Sequence, residues 1–167
     1  HGWLDNAASF SRLAPLLNGV RIVALDLPGH GLSDHRPPGA GYNIWDYTYD
    51  ILQTAEQFGW QRFSLLGHSL GGIVSVLLAG AMPERIERLA LIDGVIPYTG
   101  EAESAPRKLG EALRALLRVD RKRNPVYASF DQAVAARMKG VGAVSREAAE
   151  RLAQRGRVGR AQQPGVG

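Results

Sequence analysis

The chain contains no cysteine among its 167 residues. Disulfide frameworks, thiolate nucleophiles and thiolate-ligated zinc or iron–sulfur sites are therefore excluded from this stretch of sequence. Long apolar runs are absent as well, because even a mostly apolar stretch such as 74–78, which includes Ser75, falls far short of the roughly 20 residues that a membrane span requires. No signal-peptide pattern opens the sequence, and we expect a cytoplasmic location.

Histidine is scarce, with four residues in the chain, and none of them follows position 68. These histidines and the carboxylates show no spacing typical of metal ligands, so we predict neither a metal site nor a cofactor. The glycine-rich run at 26–33 matches neither a dinucleotide-binding fingerprint nor a phosphate-binding loop, since no Gly-Lys-Ser/Thr follows it.

The charges divide the chain into two regions. Residues 1–100 carry 6 basic and 9 acidic side chains, whereas 101–167 carry 14 and 7. With 45% hydrophobic residues overall, the composition is that of a globular chain and excludes a disordered one. We therefore divide the sequence into a core at 1–97, a helical segment at 98–156 and a flexible tail at 157–167.

The first region alternates strand and helix patterns, which is typical of a mostly parallel α/β sheet. Three short apolar runs predict strands, namely Arg21–Asp26, which reads as buried, Phe63–Leu66 and Ile86–Ile92. We expect the last two to pair in parallel. Helical periodicity predicts a bent helix near 10–17, with Asn6 as its candidate cap, and two regular helices. The first of these lies at 44–58, with Asn43 as its cap and Gly59 at its end, and the second at 70–82.

The second region shows helical periodicity alone. Leu109, Leu113 and Leu116 mark one amphipathic helix, and Ser129 and Ser145 are expected to cap two more. We expect these helices to form a lid over the carboxyl ends of the strands, with the leucines, Met138 and Leu152 packed inward and the arginines facing solvent.

A Gly-x-Ser-x-Gly pattern at 67–71, Gly-His-Ser-Leu-Gly, lies directly between a predicted strand and a predicted helix. This is the context in which the pattern forms a nucleophile elbow, a sharp turn that exposes the serine hydroxyl above the sheet. Ser69 is therefore the candidate nucleophile. The alternative is that Ser69 only caps the following helix after a glycine-rich turn.

Several motifs occur in the order in which the α/β-hydrolase superfamily uses them. They are His-Gly-Trp at 1–3, the run LDLPGHGLSDHRP at 25–37, GHSLGG at 67–72, Pro-Glu-Arg at 83–85 and LIDG at 91–94. The first two resemble most closely the serine hydrolase-like branch of that superfamily. The resemblance is specific over most of 1–100 and looser over the helical segment, which resembles the family's lid.

The resemblance implies an oxyanion hole formed by two backbone N–H groups, which are those of Trp3 and Leu70 in this sequence. Two fixed donors stabilise the negative oxygen of a tetrahedral intermediate. The alternative for Trp3 is a purely structural aromatic residue. The same resemblance places His1, Gly2 and His68 around the site.

The family completes its triad with an acid and then a histidine, both after the serine. Asp93 ends the strand that follows the nucleophile helix and is one candidate acid, while a turn-forming Asp-Gly pair is the equal alternative. No histidine follows Ser69, and we expect His1, His30, His35 and His68 to be structural or site-lining residues.

The motifs begin abruptly at His1, and the family's sheet contains more strands than the three predicted here. We therefore expect a partial α/β-hydrolase fold, a fragment truncated at both ends, that is inactive alone because it lacks a base. A catalytic parent protein is expected to encode a histidine beyond residue 167.

The expected function is that of a serine hydrolase, esterase-like, which acts on a small-molecule acyl substrate through an acyl-serine at Ser69. A non-catalytic ligand-binding relative remains an alternative, as does a perhydrolase or carbon–carbon hydrolase with the same triad. Neither nucleic acid nor a membrane is an expected partner, because solvated helix faces explain basic runs such as 118–123.

Overall fold

The computed structural model describes residues 1–37, 39–94, 100–119, 126–140 and 142–156. The predicted tail at 157–167 and most of the basic run at 118–123 lie outside these ranges. Within them, no helix is both long enough and apolar enough to cross a membrane.

Two parallel strands form the centre of the α/β region. Strand β1 is Phe63–His68 and strand β2 is Ile86–Ile92, with Phe63 opposite Ile86 and His68 opposite Ile92. Helix α2, Leu70–Ala81, connects them. A parallel pair needs such a crossover, and the predicted pairing of these two strands is confirmed.

The prediction of a strand at Arg21–Asp26 is wrong. In the described ranges this segment pairs with no strand, and Ile22 is 41% exposed. Its apolar residues satisfy the pattern for a strand, but an extended segment becomes a strand only through hydrogen bonds to a neighbour. The first residue of the segment contacts an aromatic ring and not a neighbouring strand, since the Arg21 guanidinium lies 5.0 Å from the centre of the Phe58 ring.

Helix α1, Asp46–Gln57, covers one face of this centre. It ends as predicted at Gly59, whose φ of 68° allows the N–H groups of Gly59 and Trp60 to reach carbonyls of the last turn. The predicted Asn43 cap is wrong, because Trp45 is the residue that directly precedes the helix and the Asn43 amide donates to the Asp46 carboxylate, at 3.2 Å, instead of accepting a backbone N–H.

The predicted helix near 10–17 forms only two short 3₁₀ turns, Ala7–Phe10 and Ala14–Leu16. Pro15 occupies the first turn of the second, where the missing N–H costs nothing. Asn6 does cap the first, since its side chain accepts from the Ala8 N–H.

Two small apolar clusters hold these elements together. The first is formed by Leu27, Tyr47 and Val74, and the second by Ala55, Phe63 and Leu78. Both lie between α1 and α2 and their flanking segments. This packing fixes the start of α2, and therefore the turn between β1 and α2.

Three helices follow, α3 at Ala105–Val119, α4 at Phe130–Lys139 and α5 at Arg146–Arg155. Ser129 and Ser145 cap α4 and α5 as predicted, each accepting an N–H from three residues further on. Helices α4 and α5 pack on each other around Val134 and Ala149, and α5 contacts the first 3₁₀ turn.

The predicted burial of the α3 leucines is wrong. Leu109, Leu113 and Leu116 are 61%, 52% and 60% exposed, whereas Leu152 of α5 is buried as expected. The expectation that the arginines face solvent also fails at two positions. Arg137 of α4 and Arg155 of α5 pair with carboxylates of the first region.

The Asp26 side chain, 3% exposed, connects three segments. It accepts hydrogen bonds from the N–H groups of Ala7 and Leu32 and from the Arg155 guanidinium. Burial by itself would raise the pKa of Asp26, but the hydrogen bonds from Arg155, Ala7 and Leu32 outweigh it and hold that pKa below its usual value.

Replacement of Leu78 by alanine should lower the free energy of unfolding by about 2 to 5 kcal/mol, because Leu78 is 1% exposed and its loss leaves a cavity. Leu117→Ala is the matched control, since Leu117 is 78% exposed. Urea denaturation measures both. Equal losses in the two variants would show that the cluster around Leu78 is not the stabilising core.

Asp26→Asn should lower the free energy of unfolding at pH 7 by about 1 to 3 kcal/mol, through the weakened charged hydrogen bonds. A carboxyl whose folded pKa is depressed stabilises the protein above its unfolded pKa of about 3.9, and this contribution disappears as the pH falls through the folded pKa. The difference between wild type and variant should therefore shrink toward pH 2.

Urea denaturation at pH 7 and at pH 2 to 3 tests this expectation. Asp131→Asn is the control, because the Asp131 side chain is 79% exposed in its pair with Arg146 and should contribute little at either pH. A stability difference between wild type and the Asp26→Asn variant that is independent of pH would contradict the role given to the Asp26 charge.

Candidate active site

Ser69 lies between the last residue of β1 and the first residue of α2. Its φ and ψ are 49° and −114°, a conformation that L-residues rarely adopt and that costs about 1 to 3 kcal/mol. Its N–H donates to the Ile92 carbonyl and its carbonyl accepts from the Ile73 N–H, both at 3.0 Å. The serine is therefore fixed at the carboxyl end of the two strands in a strained turn.

The glycines on either side of Ser69 permit close backbone contacts. A Cβ on Gly67 would overlap the Gly71 carbonyl, and one on Gly71 would lie 2.8 Å from the backbone nitrogen of His1. Contacts below 3.0 Å are essentially absent between real Cβ atoms and their neighbours. Glycine is thus required at both positions for the turn to close and for the N-terminal loop to approach it.

The N-terminal loop forms a tight turn beside this serine. The Asp5 N–H donates to the Gly2 carbonyl at 3.1 Å, and Leu4 has a φ of 65°, as the third residue of a type II turn requires. The Gly71 N–H donates to the His1 carbonyl at 3.0 Å and so joins this loop to the start of α2.

The two candidate oxyanion donors therefore lie on segments that contact each other. Leu70 is the first residue of α2, where a backbone N–H has no partner within the helix. Trp3 lies in the Gly2–Asp5 turn, and its side chain is 67% exposed, so the purely structural role of a packed aromatic residue is not what keeps it there. In the described ranges neither N–H donates to a protein acceptor.

The histidines near the site have assignable structural contacts. The Nε2 atom of His1 accepts from the Leu27 N–H at 2.9 Å, so its Nδ1 carries the proton that is donated to the Gly2 carbonyl. His1 is only 6% exposed, and both of its ring nitrogens are engaged. It therefore holds the N-terminal loop against Leu27 as a neutral imidazole.

The other three histidines have separate positions. His68 lies against Gly2, where a Cβ would approach its ring to 3.1 Å. His30 packs its ring 5.1 Å from that of His1, and His35 is exposed beside the Tyr42 hydroxyl. None of these contacts presents a ring nitrogen to Ser69.

Asp93 follows β2 directly and is exposed, with a φ of 47°. A Cβ on its neighbour Gly94 would lie 2.8 Å from the Ser69 Cα atom, which shows how closely this loop approaches the serine. In the described part of the chain the Asp93 carboxylate binds no histidine. The structure thus brings Asp93 to the site without placing it in a triad.

Two polar residues in the N-terminal loop make long-range contacts that the sequence reasoning missed. The Asp5 carboxylate accepts from the Arg137 guanidinium at 2.5 Å, and the Asn6 amide donates to the Leu152 carbonyl at 2.9 Å. Each contact joins residues more than 130 positions apart. No local pattern reveals such pairs, because nothing in the spacing of either residue relates it to its partner.

Two open cavities, of about 340 and 440 Å³, lie between the 24–33 segment and α5 rather than at Ser69. Arg155 lines both of them. Within the described ranges, no group of three or more histidine or acidic residues is arranged to hold a metal ion.

Comparison with known proteins agrees with this geometry. The model of the alpha/beta hydrolase fold family matches residues 1–135. A structure of a hypothetical protein from Pseudomonas aeruginosa PAO1 is 72% identical and superposes with a TM-score of 0.90, covering 93% of this chain and 55% of that one. The thioesterase domain from the curacin biosynthetic pathway is 28% identical, with a TM-score of 0.72 over 93% of this chain and 54% of that one.

Curated relatives point to one branch of the family. The human serine hydrolase-like protein 2 is 37% identical over 160 residues, which are 93% of this chain and 51% of that protein. The human serine hydrolase-like protein is 38% identical over 130 residues, 76% of this chain and 64% of that protein. The chain thus spans about half to two thirds of the length of these human relatives, and it belongs to the α/β-hydrolase family, in its serine hydrolase-like branch.

Proposed function

We propose that the protein is a serine hydrolase that cleaves an ester or related acyl substrate through an acyl-enzyme at Ser69. The observation that carries this proposal is the Ser69 backbone, held at φ 49° and ψ −114° between β1 and α2. Strain of this kind persists only where the surrounding structure enforces it, and it is concentrated at functional sites. A serine that merely capped α2 would accept an N–H through its side chain, and Ser69 makes no such bond.

In this mechanism the Ser69 hydroxyl attacks the carbonyl carbon of the substrate, and a general base accepts its proton. The carbonyl oxygen becomes an oxyanion, which the N–H groups of Leu70 and Trp3 would stabilise together with the positive N-terminal end of α2. The leaving alcohol or thiol then departs with a proton, and water releases the acid from Ser69. Asp93 is the candidate acid within residues 1–167, and we assign the base to none of the four histidines.

The substrate class is supported by relatives rather than by the pocket. The curacin neighbour is a thioesterase domain, and another structural neighbour, 30% identical with a TM-score of 0.68, is an E-2-(acetamidomethylene)succinate hydrolase. Both names denote hydrolases. An activated ester such as p-nitrophenyl acetate is the simplest probe, because it demands little of the leaving group and of the acyl pocket.

Ser69→Ala should abolish turnover of p-nitrophenyl acetate and labelling by a fluorophosphonate probe, since both need the Ser69 oxygen as nucleophile. The measurement uses the complete reading frame that contains residues 1–167. Ser64→Ala is the matched control, because Ser64 lies exposed on the same strand. Labelling that persists in Ser69→Ala would remove Ser69 as the nucleophile.

Gly67→Ala should slow fluorophosphonate labelling strongly although Ser69 is intact, because the added Cβ overlaps the Gly71 carbonyl and forces the elbow apart. The expected loss of stability is about 1 to 3 kcal/mol, as for other overpacked sites. Gly80→Ala in α2 is the control, since a Cβ there meets open space and favours the helix. Equal labelling rates for both variants would contradict the need for this close contact.

A further inference from the structure

An ion pair joins the N-terminal loop to helix α4. The Arg137 Nη2 and Nε atoms donate to the same Asp5 oxygen, at 2.5 and 3.1 Å. The side chains are 15% and 9% exposed, so that solvent screens this pair less than the pairs on the surface of α5. Arg137 also donates to the Gly142 carbonyl at 3.0 Å, which fixes the guanidinium on the helical side.

Asp5 is the last residue of the turn that carries Trp3. The first end of this turn is held on the elbow, because the Gly71 N–H binds the His1 carbonyl. The second end is held by Arg137, together with the bond from Asn6 to the Leu152 carbonyl of α5. The segment that carries the Trp3 N–H is therefore bound to α2 on one side and to the helical segment on the other.

We infer that Arg137 and Asp5 are positioning residues that hold the Trp3 N–H in place as an oxyanion donor. This inference rests on the proposed function. An oxyanion donor acts only when it lies 2.7–3.1 Å from the developing negative oxygen, so a displacement of about 1 Å removes much of its effect. The helical segment thus contributes to the rate through this turn.

The turn itself has few bonds of its own that hold it in this conformation. It is closed by a single backbone hydrogen bond and contains Leu4 at a φ of 65°, an unfavourable value for a leucine. Gly2 lies between the His68 ring and the Asp5 carboxylate, with both within 3.2 Å of the position of a Cβ. Loss of Arg137 would leave the Asp5 charge buried against this crowded segment, and the carboxylate would move toward water.

The test measures kinetics of Arg137→Met and Asp5→Asn in the complete reading frame, with p-nitrophenyl acetate as substrate. Both variants should lose roughly 10- to 100-fold in kcat, somewhat less than the loss of a whole oxyanion donor, with little change in KM. A boronic acid that forms a tetrahedral adduct with Ser69 should lose affinity in parallel with kcat. The double variant should be no slower than the slower single one, because the two residues act as a unit.

Arg146→Met is the matched control, since Arg146 bridges Asp131 of α4 and Glu150 of α5 at the exposed surface. It should keep kcat and boronate affinity even if the melting temperature falls. Arg137→Lys keeps the charge but not the second donor and should recover part of kcat. If Arg137→Met does not fold, Arg137→Lys replaces it in the kinetic and boronate measurements.

The outcomes separate the two proposals. If Ser69→Ala retains turnover, the proposed function fails. If Ser69→Ala is inactive while folded Asp5→Asn or Arg137→Met keeps wild-type kcat and boronate affinity, the positioning role is overturned and the proposed function stands. A rise in KM with unchanged kcat would also overturn it, since the pair would then serve substrate binding alone.

Discussion

The close backbone contact between the glycine-rich turn at 67–71 and the N-terminal loop is the constraint on which the other features of the candidate site depend. Gly71 lies so near His1 that no side chain fits between them, and its N–H binds the His1 carbonyl. Ser69 must then adopt its strained conformation for β1 to pass directly into α2. The same contact brings the Gly2–Asp5 turn beside Ser69, the candidate nucleophile, so that this serine and both candidate oxyanion donors are placed by one packing arrangement.

Electrostatic pairs extend this arrangement to the helical segment. The first region is acidic overall and the second is basic, and two of their contacts pair a carboxylate of the first with an arginine of the second. Asp5 binds Arg137 at the end of the Gly2–Asp5 turn. Asp26 binds Arg155 beside the loop that follows Asp26. The charge asymmetry that indicates two regions is therefore also part of what holds them together, since both carboxylates are nearly buried and weakly screened.

Helix α3 differs from α4 and α5 in that its apolar face is exposed. Helices α4 and α5 pack on each other around buried apolar residues, and each carries an arginine that pairs with a buried carboxylate. Helix α3 has a strongly amphipathic sequence, but its leucines contact no such surface in the described part of the chain and stay exposed. An amphipathic sequence indicates that one face of a helix can be buried, but that face is buried only where a neighbouring surface of matching shape covers it.

The sequence by itself determined the features that depend on neighbouring residues. The Gly-x-Ser-x-Gly motif, the Gly59 helix end and the Ser129 and Ser145 caps were predictable, because each is encoded within a few positions of chain. The parallel β1–β2 unit with its α2 crossover was predictable as well, because its periodic patterns follow one another within the single stretch 63–92. Tertiary structure alone decided what depends on distant partners. Among the residues that the structure describes, it left Arg21–Asp26 without a strand to pair with, engaged both ring nitrogens of His1, and joined Asp5 to Arg137 across 132 positions. A local pattern can specify a backbone conformation, but a hydrogen bond or ion pair also needs its partner, and the partner's position is set only when the chain folds.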